Sequence, residues 1–283
     1  MDKCVKRLGM GITSGKAAKA VENQRARKLF EEIFDEDSPA FVDYYFRVKA
    51  AENEIFVVEN EKQEILATLH LNPYEMMFCG EKVKTNYIVA VATDPDYRHQ
   101  GCMRALLERA LNDMADRKMP FTFLMPASES IYAPFDFVWI CPFTELPMRV
   151  SRMNADGQNR YLASHYQMFC KRTENYMENL AAEKKAEEGE IASDKMPPFM
   201  ARITDVCGML SLACGRQDQE LYLQIKDPII GENSGYFQWK ISGEQSTAVK
   251  LSGKPEHVDL ELTIGELASM IFGTFHICLT EVV

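Results

Sequence analysis

Asn86-Tyr-Ile-Val-Ala-Val-Ala-Thr93, continued by Asp94-Pro-Asp-Tyr-Arg98-His-Gln-Gly101-Cys-Met-Arg104, is the stretch that organises the chain. Its first half is apolar without alternation, the pattern of a strand covered on both faces and therefore central in a sheet. Its second half leads into Met103, Leu106, Leu107, Ala110, Leu111 and Met114, spaced as on one face of an amphipathic helix that Pro120 ends. Between them lies a short turn containing Gly101. A helix that opens at a glycine leaves its first amides unpaired and carries partial positive charge there, so the junction can hold a pyrophosphate, with Arg98 and Arg104 adding charge. A plainer account stands beside it, since strand-to-helix connections commonly need a glycine for the turn alone.

Upstream, Val21–Phe34 and Pro39–Ala51 carry the helical pattern, and Ile55–Val58, Ile65–Leu71 and Tyr74–Phe78 read as short strands of an antiparallel meander. Residues 1–20 hold several glycines and no apolar periodicity, which suggests a flexible lead-in. The fragment GMGITSGKAA imitates a phosphate loop, but Met10 and Ala17 occupy positions that motif reserves for Gly and for Ser or Thr. Downstream, Phe121–Met125 reads as a strand, Glu129–Phe135 as a helical turn and Phe137–Ile140 as the start of another strand. Residues 151–195 form a helical connector, helix-like over Tyr161–Glu188 and ending in a charged run. Residues 196–283 read as a second, α+β unit. It starts with a strand over Met200–Ile203 and a helix capped by Asp205, and continues with strands over 221–225, 236–241, 248–251 and 258–264. A helix over Glu266–Phe272 and a strand over Thr274–Leu279 close it. The strands largely alternate apolar and polar residues, which argues for one buried face and no large cavity.

The chain has 283 residues, enough for one large or two modest domains. Its composition, 46% hydrophobic and 26% charged, is that of a globular protein, and no apolar run approaches the ~20 residues of a spanning helix. No membrane association and a cytoplasmic location are expected. The net charge of −10 argues against nucleic acid as a partner and suits a cationic amine. Its 8 cysteines show no C-x-x-C pair, so they read as reduced and mostly buried, with no metal site.

The turn resembles the acetyl-CoA signature of the GNAT superfamily, Q/R-x-x-G-x-G/A, here Arg98-His-Gln-Gly101-Cys-Met103. Met103 replaces the usual Gly or Ala, and with Arg104 the turn becomes R-x-x-G-x-x-R, similar to the enhanced-intracellular-survival (Eis) branch. The order of helix pair, meander with LNPY, YIVAVAT and PFTFLMPASESIYAPFDF agrees with that branch, and residues from Met200 onward resemble its closing sterol-carrier-like domain. The resemblance implies an α/β (α+β) protein. A GNAT domain over residues 21–150, with a mixed, mainly antiparallel sheet flanked by helices, is followed by a sterol-carrier-like domain over 196–283. The connector stands where relatives carry a second GNAT-like domain.

By position, the resemblance assigns the backbone of Val91, Ala92 and Thr93 to the pantetheine arm of acetyl-CoA. It gives Arg98, His99, Gln100, Gly101, Cys102, Met103 and Arg104 to the pyrophosphate, with Ser128 and Glu129 closing the site. Tyr132, in IYAPF, becomes the acid that protonates the leaving thiolate, and the terminal carboxylate of Val283 the base. The implied reaction is direct acetyl transfer to a primary amine of an aminoglycoside, a polyamine or a lysine-like group, in a ternary complex. A small-molecule or peptide amine is the implied partner, and a homo-oligomer is left open. A non-catalytic acyl-CoA sensor and a lipid-binding module are the rival readings. Without the resemblance, Tyr132 reads as a core tyrosine among Ile131, Phe135 and Phe137, and Glu129 as a solvated helix-start residue or a rival base. Cys102 beside the turn lacks a convincing base partner, and His70 and His276 read as core or wall residues rather than ligands. Tyr236, Phe237 and Trp239 read as sheet core and surface.

Overall fold

Alternating apolar residues build the first layer, seen in a computed structural model that describes residues 11–16, 20–187, 196–213, 215, 217–243 and 245–281. Strand β1 (Gly11–Lys16) and helix α1 (Ala20–Ile33) precede helix α2 (Pro39–Tyr44). Ser38 caps α2 by accepting the Phe41 amide, and Pro39 supplies a preset first turn. A π-helical turn, Tyr45–Lys49, extends α2 towards β2 (Glu54–Glu59), β3 (Ile65–Phe78) and β4 (Glu81–Thr93), which form an antiparallel meander. β3 is one continuous strand where the sequence suggested two, because Asn72 and Pro73 stay in register with Tyr87 and Asn86. β1 lies within the stretch read as a flexible lead-in and pairs antiparallel with β2; residues 1–10 and 17–19, including part of the phosphate-loop look-alike, lie outside the described residues.

Helix α3 (Cys102–Asp116) buries Leu106, Leu107, Ala110, Leu111 and Met114 completely. At ~1.5–3 kcal/mol for each large apolar side chain, this face anchors the helix. It packs with Phe56, Leu69 and Leu71 on one side of the meander, whereas α1, α2 and the π turn cover Ile55 and Ala90 on the other. Strand β5 (Phe121–Leu124), helix α4 (Glu129–Tyr132) and β6 (Val138–Cys141) follow as expected.

The connector is not a single helix. After α5 (Met148–Ser151), α6 (Ala155–His165) gives way to β7 (Met168–Cys170), which pairs with β3, before α7 (Glu174–Ala186) begins. Asn154 and Thr173 cap α6 and α7, so each helix has its own start signal. Strand β8 (Phe199–Ile203) lies between β5 and β6, antiparallel to both, inside the large sheet rather than beside the later strands. Asp205 caps α8 (Val206–Leu212) through the Gly208 amide. β9 (Gln219–Lys226), β10 (Gly235–Ile241), β11 (Thr247–Leu251) and β12 (Leu260–Thr263) make a separate sheet in the order β11-β10-β9-β12. A capping box of Thr263 and Glu266 starts α9 (Ile264–Phe272), which packs against β8, β6, β12 and β9 and so joins the sheets. Strand β13 is only Ile277–Cys278, parallel to β7. In the small sheet Phe237 and Trp239 are buried, the Trp239 indole donating to the Leu210 carbonyl.

Among the described cysteines Cys102, Cys170 and Cys278 are buried, and Cys79, Cys141 and Cys207 half-buried. No helix among the described residues is long and apolar enough to cross a membrane.

The sheets are also tied by a buried ion pair. Arg202 of β8 donates to Asp227 at 2.7 Å, both side chains having 0% exposure, and to the Phe135 and Ile203 carbonyls. Asp227 also accepts the amides of Ile229 and Ile230 and the Asn233 side chain. Breaking such a pair from one side leaves a buried charge uncompensated. Asp227→Ala is expected to lower unfolding free energy by about 3–5 kcal/mol in urea titration, and an Arg202→Met, Asp227→Leu double variant to lose less than that single substitution.

Candidate acyl-transfer site

β4 and β5 run parallel but share only the register pair Tyr87↔Phe123 among the described residues. Their rings stack at 5.0 Å, and the Thr122 hydroxyl donates to the Asn86 carbonyl at 2.8 Å, so the strands are pinned at one end and separate beyond it. The free edge of β5 is taken by β8, and β4 continues through Ile88 to Thr93 with β3 on one side only. β4 is also bulged: Thr68 pairs with Ala92 and His70 with Val89, leaving Ala90 and Val91 opposite Leu69, and Ala90 has φ 51°. A left-handed alanine costs energy, and the bulge turns backbone groups of β4 into the fork.

Past Thr93, Asp94 caps a short 3-10 turn, Pro95–Tyr97, and the chain reaches Gly101, the N-cap of α3, with φ 84°. His99 is also left-handed, at φ 61°. Left-handed residues alternating with others curl successive amides towards a common point, a concavity suited to an anion. Gly101 brings no capping side chain, so the opening amides of α3, such as those of Met103 and Arg104, are not used by a local cap. Arg98 reaches back to the Thr93 carbonyl at 3.4 Å, and Gln100 donates to the Asp96 carbonyl at 2.9 Å, bracing the turn. Arg104 lies over the Phe135 ring at 4.8 Å and faces Glu108 at 3.3 Å. Arg98, His99 and Arg104 are exposed, whereas Cys102 is buried in the core cluster.

Tyr132 ends α4 and packs edge-on against Phe137 at 5.8 Å. It is buried, its hydroxyl makes no hydrogen bond to another described residue, and burial pushes its pKa up to about 12, so it stays protonated as an acid must. Ser128 and Glu129 are exposed at the start of α4, Ser128 paired with Ser130 at 2.9 Å. Val283 lies outside the described residues. Glu281, two positions before it, is buried and accepts from Arg172 at 2.8 Å and from the Tyr176 hydroxyl at 2.6 Å. Burial opposes its ionisation, but Arg172, Tyr176 and the Thr280 amide outweigh that and hold its pKa below the usual value.

A polar row goes unannounced by any motif. Thr68, His70 and Asn72 alternate along β3 and so share one face; all are buried, and each keeps a side-chain atom without a partner among the described residues. His70 accepts or donates at Nδ1 with the Tyr45 hydroxyl at 2.7 Å, its Nε2 is unpaired, and burial pulls its pKa down to about 3, so it is neutral. The expectation of a satisfied core histidine therefore holds for only one ring nitrogen; His276, expected in the core or wall, is exposed. The row ends at a cavity of about 150 Å³ whose walls include Asn72, Tyr74, Lys49 and Glu183. Tyr74 links it to the fork, its ring lying 6.3 Å from Tyr87 and 6.1 Å from Phe123.

Residues 15–140 match the model of the acetyltransferase (GNAT) domain, and residues 209–278 that of the sterol carrier protein domain. The chain therefore carries a GNAT acetyltransferase domain and, behind it, a sterol-carrier-like domain. A search of curated proteins finds no match. Among solved structures, a GCN5-related N-acetyltransferase from Kribbella flavida superposes with TM-score 0.67 at 14% identity, over 93% of this chain and 90% of that one. Eis1 from Mycobacterium abscessus gives 0.67 at 11%, over 93% and 89%. A GCN5-related N-acetyltransferase from Anabaena variabilis gives 0.64 at 15%, over 93% and 90%. At these identities the likeness is one of fold.

Burial raises the Glu183 carboxyl from its ordinary 4.5 to about 7, against the pull of Lys49. The folded chain thus keeps a proton that the unfolded chain loses across that window, and stability falls as pH rises through it. Glu183→Gln cannot titrate. Urea unfolding at pH values from about 5 to 7.5 is expected to show this variant gaining on the parent as pH rises. A pH-independent difference would show that another group titrates.

Proposed function

We propose that the chain is an acetyl-CoA-dependent N-acetyltransferase of the Eis-like branch, acting on a primary amine by direct attack in a ternary complex. The observation that supports it most is the continuity of an open β4 edge with a turn of curled amides. One substrate, a pantetheine thioester ending in a pyrophosphate, has the chemistry to satisfy both. The R-x-x-G-x-x-R form of the turn, in Arg98, Gly101 and Arg104, supports the branch, as does the order of the matched domains.

In this reading Val91, Ala92 and Thr93 pair with the pantetheine amides, and His99–Arg104 hold the diphosphate, with Arg98 and Arg104 adding charge from the exposed side. Ser128 and Glu129 sit at the far lip. The amine nitrogen attacks the thioester carbonyl carbon and the carbon–sulfur bond breaks with its electron pair on sulfur. Tyr132 gives that sulfur its proton, and the terminal carboxylate of Val283 takes the proton lost by nitrogen. The net charge of −10 favours approach of a cationic amine.

Calorimetry with acetyl-CoA is expected to give a saturable heat that Gly101→Glu abolishes, because the substitution puts a carboxylate on the anion cradle and a side chain at φ 84°. Tyr132→Phe is expected to lower kcat by about 10²–10⁴-fold with little change in KM for acetyl-CoA, in a thiol-release assay over an amine panel. Extending the chain past Val283 should cut the rate as well. Tight acetyl-CoA binding with no turnover on any amine would make the protein an acyl-CoA sensor instead.

A further inference from the structure

The cavity on the α2 side of β3 has a built interior. Asn72 is 4% exposed, lines the space, and its Nδ2 has no partner among the described residues. A buried donor left unmatched costs about 1–3 kcal/mol, so a site that retains one is suited to an acceptor brought from outside. The other charged walls divide into those already satisfied and those not. Glu281 is saturated by Arg172, Tyr176 and Thr280, and Glu75 is paired with Lys171 at 2.5 Å on the rim. Lys49, 8% exposed, gives one hydrogen to the Tyr74 hydroxyl at 3.1 Å and stands 4.0 Å from Glu183, too far for a hydrogen bond. Glu183, 4% exposed, accepts the Tyr44 hydroxyl at Oε2, and its other oxygen has no partner among the described residues.

Glu52 lies exposed on the rim, accepting from Asn175 at 3.5 Å. Lys49 and Glu183 face each other as an ion pair without a hydrogen bond. The buried hydrogen-bonding groups left unmet are therefore an amide donor and an ammonium on one hand and a carboxylate oxygen on the other. We propose that this cavity binds a small zwitterionic amine of the α-amino-acid class, its carboxylate held by Asn72 and Lys49 and its ammonium by Glu183. A polycation would leave the two donors unmet, and a plain carboxylate would leave Glu183 unmet. A volume of about 150 Å³ admits a ligand of roughly benzene size, which suits a compact amino acid and excludes an oligosaccharide amine or a folded peptide. Binding here goes beyond the transferase reading and is independent of it.

Isothermal titration of the full chain, without acetyl-CoA, tests it with L-serine, ethanolamine and acetate as probes. L-serine is expected to bind at least about tenfold more tightly than either fragment-like probe. Asn72→Leu and Glu183→Gln are each expected to weaken L-serine by about tenfold or more, while a parallel acetyl-CoA titration keeps its heat and shows the variants folded. The proposal is overturned if L-serine gives no heat, if the three probes bind alike, or if both variants bind L-serine as the parent does. A chain that binds acetyl-CoA but not L-serine keeps the transferase reading and loses this one; the reverse keeps this one alone.

Discussion

Two parallel strands that share a single register pair among the described residues set the terms for the rest of the molecule. Were β4 and β5 paired along their whole length, the backbone of Ile88–Thr93 would be spent on the sheet, and the turn at Gly101 would stand apart from any open edge. The strands part because three constraints agree. The stacked Tyr87 and Phe123 rings fix the closed end, the Ala90 bulge twists β4 away, and β8 occupies the edge of β5 that faces away from β4. Buried backbone groups demand partners, so an opening of this kind is stable only where water or a ligand serves them.

The role of β8 changes what the later residues contribute. It enters the large sheet from a segment that follows the connector, and Arg202 on it is held by Asp227 beyond the end of β9. Helix α9 then packs on β8 and on the small sheet together. The sterol-carrier-like part thus braces one arm of the fork through covalent neighbours and a buried charge pair, and loosening it would loosen β5. β7 works at the other end of β3, where it pairs with Met76, Met77 and Phe78, and brings Arg172 to Glu281 near the chain's end.

The turn was legible because its chemistry is local: a strand, a glycine and an amphipathic helix sit within one short window, and the left-handed Gly101 is what such a window requires. The cap at Asp205 and the strands of the small sheet were legible for the same reason. What escaped was set by partners distant in sequence. FMARI reads as a strand at Phe199–Ile203, but nothing in five residues says that both neighbours belong to the earlier sheet. The bulge carries no glycine or proline to announce it, since Ala90 is forced left-handed by register rather than preference. The break in the connector falls at Tyr166, an ordinary residue in extended conformation just before Met168–Cys170, which pair with β3 and the strand at Ile277. Tyr132 shows the reverse case: its apolar neighbours announce its burial, whereas the lack of a hydrogen-bond partner for its hydroxyl among the described residues appears only in three dimensions.

The polar row on β3 puts a scale on this difference. An apolar face would have packed Thr68, His70 and Asn72 as valine- or leucine-like residues at no desolvation cost, whereas each unmatched polar atom forfeits about 1–3 kcal/mol. The Tyr45 hydroxyl offsets part of it through its contact to His70 Nδ1, and is itself held by the Asn53 side chain, which donates to it at 3.2 Å. Native cores keep few such atoms; here Thr68 Oγ1, His70 Nε2 and Asn72 Nδ2 lie on alternate residues from the bulge to the cavity, while others lie apart at Asn53, Gln158 and Arg172. The sheet face behind the fork therefore carries a desolvation cost that an apolar face would not.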